Sequence, residues 1–217
     1  MRALDRLVSD FILLLTIIDP VGSVPVFIAV AAHAPASMRR RIAIRAVVIA
    51  AGVLLFFLVL GQFLLETLSI DLAAFRIAGG IILFLFALDM IFGMSKPEAE
   101  MREAQRAGEA FHDLAVYPLA IPSISGPGSI TAVIVLTDYH RFSAAEQALT
   151  ALMVLAALII VLACLLLADR IQRLIGTVGA SIISRVMGLI TAAIAADSVL
   201  SGIQDFFGLA AGATGGA

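Results

Sequence analysis

Three long stretches of this chain contain no Asp, Glu, Lys, Arg or His, and they limit what it can fold into. They run over residues 46–65, 114–137 and 147–168. About 20 apolar residues are what an α-helix needs to cross the hydrocarbon core of a bilayer. The whole chain is 62% hydrophobic and only 14% charged, whereas a soluble domain is roughly half apolar and about a quarter charged. The sequence therefore predicts an all-α membrane protein.

Hydropathy predicts six transmembrane helices, and the segments between them hold nearly all of the charge. Charged connections are predicted at 39–45, 96–113, 139–141 and 169–173. The six helices are placed at about 7–32, 42–65, 72–94, 114–137, 146–168 and 182–206. The predicted organisation is a first three-helix repeat at 1–94, a charged cytoplasmic loop at 95–113, a second three-helix repeat at 114–207 and a disordered tail at 208–217.

The distribution of Lys and Arg predicts the orientation. Ten of the 14 such residues flank one side of the predicted bundle and four flank the other. Cytoplasmic loops carry the excess of Lys and Arg, so the first side is predicted to be cytoplasmic and both termini to lie outside. The ten are Arg39, Arg40, Arg41, Arg45, Lys96, Arg102, Arg106, Arg170, Arg173 and Arg185.

The two halves of the chain resemble each other. At a shift of 106 residues, 18–24 meets 124–130, and each segment holds a helix breaker followed by Gly-Ser. An odd number of helices in each half places the second half upside down relative to the first. The prediction is therefore two inverted three-helix repeats, an architecture found in many secondary transporters.

The third helices of the two halves also align, at a shift of 109 residues. Arg76 then meets Arg185, and Gly79 meets Gly188. The arginines are interpreted as snorkelling to the membrane interface, with pairing to an acid as the alternative. Together with Gly80, the glycines are interpreted as structural residues that let helices approach closely.

The first helix is interrupted about twelve residues from its start by the motif Asp19–Pro25. Proline removes a backbone hydrogen bond, and lipid offers no replacement, so such a break must be buried in protein or line a polar cavity. A half-helix that begins there presents N–H groups to a carboxylate, and the freed carbonyls suit an ammonium group. The predicted substrate-binding residues are Asp19, Pro20, Gly22, Ser23, Pro25, Ser123, Ser125, Gly126, Pro127, Gly128, Ser129 and Thr131.

Three aspartates are predicted to lie within the hydrocarbon region, where an ionisable side chain is costly enough to suggest a function. Asp19, Asp89 and Asp197 are therefore candidates for proton or ion coupling. For Asp19 the alternative is a cap on the following half-helix. For Asp89 the alternative is a position near the cytoplasmic end of its helix, where the carboxylate reaches water, and for Asp197 it is a position in the outer half of the membrane.

Other classes of function are disfavoured by the sequence. It contains no HxxxH, HExxH or CxxC spacing and no phosphate-binding glycine loop, so no metal site and no cofactor are predicted. A net charge of -2 gives no global field that would attract nucleic acid.

Several motifs are similar to those of a known family. They are Ile17–Pro25, Phe75–Gly80, Ala87–Met90, Pro118–Pro122 and Ser125–Thr131. On these motifs the chain resembles the MarC family of bacterial inner-membrane proteins, and the likeness covers almost the whole chain. The chain departs from the commoner pattern at Ser23, where Asn is frequent, and at Ser123 and Ser125, where a less polar pair is usual.

The resemblance implies a six-helix plasma-membrane protein in a family grouped with neutral amino-acid transporters. The first hypothesis is therefore a secondary transporter, not an enzyme, that moves a small neutral amino acid such as alanine or glycine by alternating access, as an exporter or a proton-coupled carrier. Membrane lipid and the substrate are its expected partners, and a homo-oligomer is compatible with the sequence. The alternatives are a membrane assembly or regulatory protein and, less favoured, an intramembrane enzyme using Asp89 and Asp197.

Overall fold

The structure is a computed structural model that describes residues 2–31, 34–92, 114–140 and 142–208. Every regular element within these residues is a helix, which confirms the all-α class. In chain order the helices are α1 (Arg2–Ile18), α2 (Ser23–Val30), α3 (Ala36–Thr67), α4 (Leu72–Phe92), α5 (Ala115–Ile124), α6 (Pro127–Leu136), α7 (Ala144–Leu166) and α8 (Ala168–Phe206).

Five helical segments are long and apolar enough to cross a membrane. They are Leu7–Ile28, which includes the first break, Ser37–Thr67, Leu72–Phe92, Ala144–Leu166 and Ser181–Phe206. The sixth span was expected at 114–137, where α5 and α6 are separate helices of 10 residues each. Ten residues rise about 15 Å, half of the hydrocarbon thickness, so six full spans and the inverted repeat stay predictions.

Proline explains the irregular backbone of α5. Tyr117 (φ -127°, ψ 129°) and Ile121 (φ -129°, ψ 125°) are extended inside this segment, and each precedes a proline. The ring of a proline clashes with a helical conformation at the residue before it. Gly126, which precedes Pro127, is extended for the same reason, with ψ 174°. Three Xaa-Pro dipeptides therefore produce the irregular backbone of the second break.

The two breaks occupy equivalent positions in the two halves. Helix α1 ends at Ile18 and α5 ends at Ile124, which are separated by the 106 residues of the sequence alignment. At the first break, Asp19 turns the chain with a left-handed φ of 50°. Asp tolerates this conformation better than most residues, and Pro20 follows it.

Two predicted connections are helical instead. Residues 39–45 belong to α3, which begins at Ala36 directly after Pro35, and residues 169–173 belong to α8. The arginines there mark where a helix leaves the hydrocarbon, and helices can continue into water beyond that level. A sharp bend at Gly176 (φ 68°, ψ 175°) separates the first part of α8 from its apolar part. The predicted loop at 95–113, and residues 209–217 of the predicted tail, lie outside the described residues.

The broken helices form the middle of the bundle. On one side they pack against α3 and α7 around a core that includes Ile18, Leu54, Leu119, Val133 and Leu158. On the other side α6 packs against α4, and α4 packs along α8. An added Cβ on Gly80 of α4 would lie 3.1 Å from the carbonyl oxygen of Ala195 in α8, so these two backbones are nearly in contact.

Candidate functional site at the two helix breaks

The two breaks meet inside the bundle. The hydroxyl oxygens of Ser23 and Ser123 lie 3.4 Å apart, although 100 residues separate them in the chain. Ser23 is fully buried and Ser123 is 5% exposed. The two breaks are therefore close together at these serines, while the role of the predicted site residues in binding stays a prediction.

At the first break, the carboxylate of Asp19 caps the half-helix that follows. Its Oδ1 accepts a hydrogen bond from the backbone N–H of Gly22 at 2.9 Å, and the residue is only 3% exposed. The carboxylate lies so close to Gly22 that an added Cβ there would overlap it. The start of α2 thus already holds a negative charge from its own chain, and contact of Asp19 with an ion or substrate stays a prediction.

The capping geometry predicts different results for two substitutions of Asp19. Asn keeps an oxygen acceptor and tolerates a left-handed φ, whereas Ala loses the cap and is strained there. We expect Asp19→Ala to cost about 2–3 kcal/mol and to lower the unfolding midpoint in detergent by about 4–12 °C. Asp19→Asn should stay near the wild type. An equal loss in both variants would mean that folding requires the charge rather than the cap.

At the second break, the start of α6 carries no such cap. Its first residue is Pro127, and the preceding Gly126 has no side chain that could accept a hydrogen bond. The first intrahelical bond of α6 runs from Ile130 N–H to Gly126 O at 3.0 Å. The helix start borders a cavity of about 230 Å³, whose lining includes Ser123 and residues 126–129. The partial positive charge of a helix N-terminus is thus presented to a cavity.

The hydroxyl groups at the breaks donate to nearby backbone carbonyls, two of which, Ala120 O and Asp19 O, also accept a backbone N–H. Ser125 donates to Ala120 O at 2.7 Å, and Ser129 donates to Ile124 O at 3.0 Å. Ser23 does the same to Asp19 O at 3.0 Å. A hydroxyl has one proton and two lone pairs, so each group that donates in this way keeps acceptor capacity for a ligand that donates hydrogen bonds.

Three cavities follow one another along α4 and α6. The first, of about 410 Å³, reaches Arg76 on α4 and Val135 on α6. The second, of about 420 Å³, also contains Arg76 and Val135 and extends to Leu83 and Gly128. The third is the 230 Å³ cavity at the break, which again includes Leu83 and Gly128. Neighbouring cavities share lining residues, so they lie in a row from one end of the bundle to the second break, and we call this row the passage.

We call the end of the bundle where the passage opens the Asp71 end, after a residue that lines the first cavity. The opposite end, which carries the ion pair between Arg39 and Asp169 at 3.0 Å, is the Arg39 end. Buried apolar residues fill the bundle between the breaks and the Arg39 end, including Phe27, Ala43 and Leu165.

The passage contains charged residues that the sequence did not single out. Asp10 lines the second cavity together with Leu13 and Ile17; their spacing of three and four residues places them on one helix face and could have indicated Asp10. Asp138 is 3% exposed and lines the first cavity. It follows the end of α6 in a turn, where no periodic signal exists.

The predicted coupling residues Asp197 and Asp89 lie at different levels of the bundle. Asp197 lines the second cavity, and Asp89 lies in α4 with its side chain outside the described part of the structure. Gly80 packs beside Ala195, whereas Gly188 packs beside Met90. Asp197 and Asp89 are thus at levels about nine residues, or roughly 13 Å, apart along antiparallel helices. This separation does not favour the two-aspartate enzyme.

The two predicted structural arginines also differ. Arg76 lies 3.3 Å from Asp205, measured from nitrogen to oxygen, and its side chain is 21% exposed. Its geometry therefore fits the alternative interpretation, in which it pairs with an acid. Arg185 is exposed. Among the described residues, no group of three or more His, Cys, Asp and Glu side chains is arranged to hold a metal ion.

Comparison with known proteins identifies the family. The family model described as MarC family integral membrane protein matches residues 4–207. The chain belongs to the MarC family. Its MarC relatives include a UPF0056 membrane protein of Methanocaldococcus jannaschii, 36% identical over 93% of this chain and 97% of the relative. The UPF0056 inner membrane protein YhgN of Escherichia coli is 32% identical over 93% of this chain and 98% of its own length. No solved structure gives a significant match to this MarC chain.

Proposed function

We propose that this protein is a secondary transporter of small neutral amino acids. The observation that carries the proposal is the meeting of two broken helices at Ser23 and Ser123, beside a cavity that the uncapped start of α6 borders. Broken helices that face each other near the bilayer midplane are where many secondary transporters bind their substrates.

The chemistry of the breaks favours a zwitterion. The N-terminus of α6 suits a carboxylate, and the hydroxyl oxygens that donate to backbone carbonyls accept from an ammonium group. A cavity of about 230 Å³ is smaller than the roughly 300–1,000 Å³ that is typical for drug-sized ligands. Alanine and glycine therefore fit the site better than large amino acids do.

Reciprocal helix contacts support alternating access by two inverted halves. Gly80 of the first half lies against Ala195 and Val199 of the second, and Gly188 of the second half lies against Ala87 and Met90 of the first. Contacts that are exchanged between two units in this way are typical of two-fold symmetry. Rocking of one half against the other would open the site to each side in turn.

The membrane and the coupling ion complete the proposal. A plasma-membrane location follows the name of the Escherichia coli relative, an inner membrane protein. A proton is the proposed coupling ion, with Asp197 in the passage as its carrier, because a carboxyl group in a membrane-spanning segment can exchange a proton as its surroundings change.

Purified protein in proteoliposomes provides the test. We expect uptake and counterflow of labelled alanine or glycine, stimulated by a pH gradient, at rates well above those of empty liposomes. Asp197→Asn should abolish the pH stimulation but leave counterflow, since exchange needs no net proton movement. Absence of flux for every small amino acid in correctly folded, reconstituted protein would contradict the transporter and favour an assembly or regulatory role.

A further inference from the structure

We infer that the second break is reached from the Asp71 end, and that Arg76 is the residue that admits the substrate carboxylate to the passage. The inference rests on the proposed function and adds to it a side of access and a selectivity residue. Its evidence is the order of the three cavities and the place of Arg76 at the junction between the first two.

The lining of α4 shows the course of the passage. Between Leu72 and Phe86, the α4 residues that line the first cavity are Leu72, Ala73 and Arg76, those of the second are Arg76, Gly79, Gly80 and Leu83, and those of the third are Ile82, Leu83 and Phe86. These 14 residue steps correspond to about 21 Å along the helix axis, which is enough to reach from a membrane surface into its middle. The lining of α6 runs in parallel, from Val135 in the first cavity to residues 126–129 in the third.

In the described part of the chain, apolar side chains fill the other direction. Around the breaks and towards the Arg39 end, the side chains of Ile18, Val26, Phe27, Leu119 and Ile124 are at most 4% exposed and form one apolar core. Among the described residues the bundle is therefore open towards the Asp71 end and tightly packed towards the Arg39 end, as one of the two states of an alternating-access carrier would be.

Arg76 is the only Lys or Arg among the described residues that line the three cavities. Carboxylates line the same space on both sides of it, with Asp205 and Asp138 in the first cavity and Asp10 and Asp197 in the second. These carboxylates would repel an anionic group that enters, whereas Arg76 would attract it. The guanidinium can receive a carboxylate through two parallel hydrogen bonds, in exchange for its 3.3 Å contact with Asp205.

Cysteine accessibility tests the route without any transported substrate. Cys164 is the only cysteine of the chain, so Cys164→Ala gives a background for single cysteines. Ser37→Cys, at an exposed position in the first turn of the long helix α3, and Ile70→Cys, at an exposed position just beyond its other end, label the Arg39 and Asp71 sides of the membrane. Vesicles of both orientations are treated with a membrane-impermeant thiol reagent.

Val135→Cys in the passage should react from the same side as Ile70→Cys. Val133→Cys is the matched control, because it lies on the same helix and is fully buried; it should not react. Reaction of Val135→Cys from the Ser37→Cys side, or no faster than Val133→Cys, would overturn the route. Lack of amino-acid flux would refute the proposed function but leave this result standing.

The role of Arg76 is tested in the Val135→Cys background with thiol reagents of opposite charge. Arg76→Gln should lower the ratio of anionic to cationic reagent rates by about tenfold, because local potential sets the concentration of charged species in a cleft. Arg76→Lys should keep the ratio, and the exposed Arg185→Gln should not change it. An unchanged ratio in a folded Arg76→Gln variant, or an equal fall with Arg185→Gln, would overturn the assignment.

Discussion

Gly128→Val should remove nearly all amino-acid flux while the protein still folds. Gly128 lines both the second and the third cavity, at the start of α6. An added Cβ would overlap the Cδ1 atom of Leu83 and lie 3.4 Å from Ile17 Cγ2, so a valine fills the place where the passage meets the break. A substrate displaced by about 1 Å from its working position loses roughly 100-fold in rate, and we expect at least this loss in proteoliposome uptake.

A compensating change separates blockage from misfolding. The atom that the new side chain meets first is the far end of Leu83, so Gly128→Val combined with Leu83→Ala should recover part of the flux. The single variant should elute as the wild type does in size-exclusion chromatography. Wild-type flux in Gly128→Val would show that substrate does not pass this point, and the site at the second break would then be wrong.

Gly80→Leu should strongly destabilise the protein, by about 3 kcal/mol or more. Its Cβ would lie 2.8 Å from Val199 Cγ2 and 3.1 Å from the carbonyl oxygen of Ala195, and a backbone carbonyl cannot rotate away as a side chain can. Overpacking of a tight interface typically costs 1–3 kcal/mol, and in membranes close contact of small residues is itself a main source of helix association. The expected fall in the unfolding midpoint in detergent is about 6–12 °C.

Gly52 provides the matched control on another membrane-spanning helix. No atom lies within 4 Å of a Cβ added there, and leucine favours helices over glycine by roughly 0.5–1 kcal/mol. Gly52→Leu should therefore leave the midpoint unchanged or raise it. If Gly80→Leu behaved like Gly52→Leu, the close packing of α4 on α8 would be refuted.

Sequence predicts the elements of this bundle well because lipid allows few alternatives. The two breaks could be placed from Pro20 and Pro127, since a proline disrupts the hydrogen bonding of the helical turn that precedes it. The start of α3 could not be placed from the sequence, because a charged residue such as Arg39 is equally compatible with a loop and with the exposed first turns of a helix. Charged residues show where the hydrocarbon core ends, but the backbone hydrogen bonds of a helix can continue beyond that level.

Which residues face the passage was harder to predict, since this depends on how helices are rotated against each other. Asp19 was selected for its position in a break, and the structure shows it folded over Gly22 as a cap. Asp138 was not selected, although it is buried beside a cavity. Local sequence determines where a helix stops, but only the packing of distant helices determines which carboxylates share a space.

The two breaks differ electrostatically, because the half-helix after the first break is capped and the one after the second break is not. Asp19 neutralises the start of α2, whereas the corresponding residue before α6 is Ser125, whose hydroxyl is turned back onto Ala120 O. If both half-helices were left uncapped, two positive dipole ends would oppose each other in a medium that screens charge poorly. A chimera carrying the second motif in both halves should therefore assemble poorly without a bound anion. Two half-helices that begin close together are thus stabilised when only one of them presents an uncapped positive end.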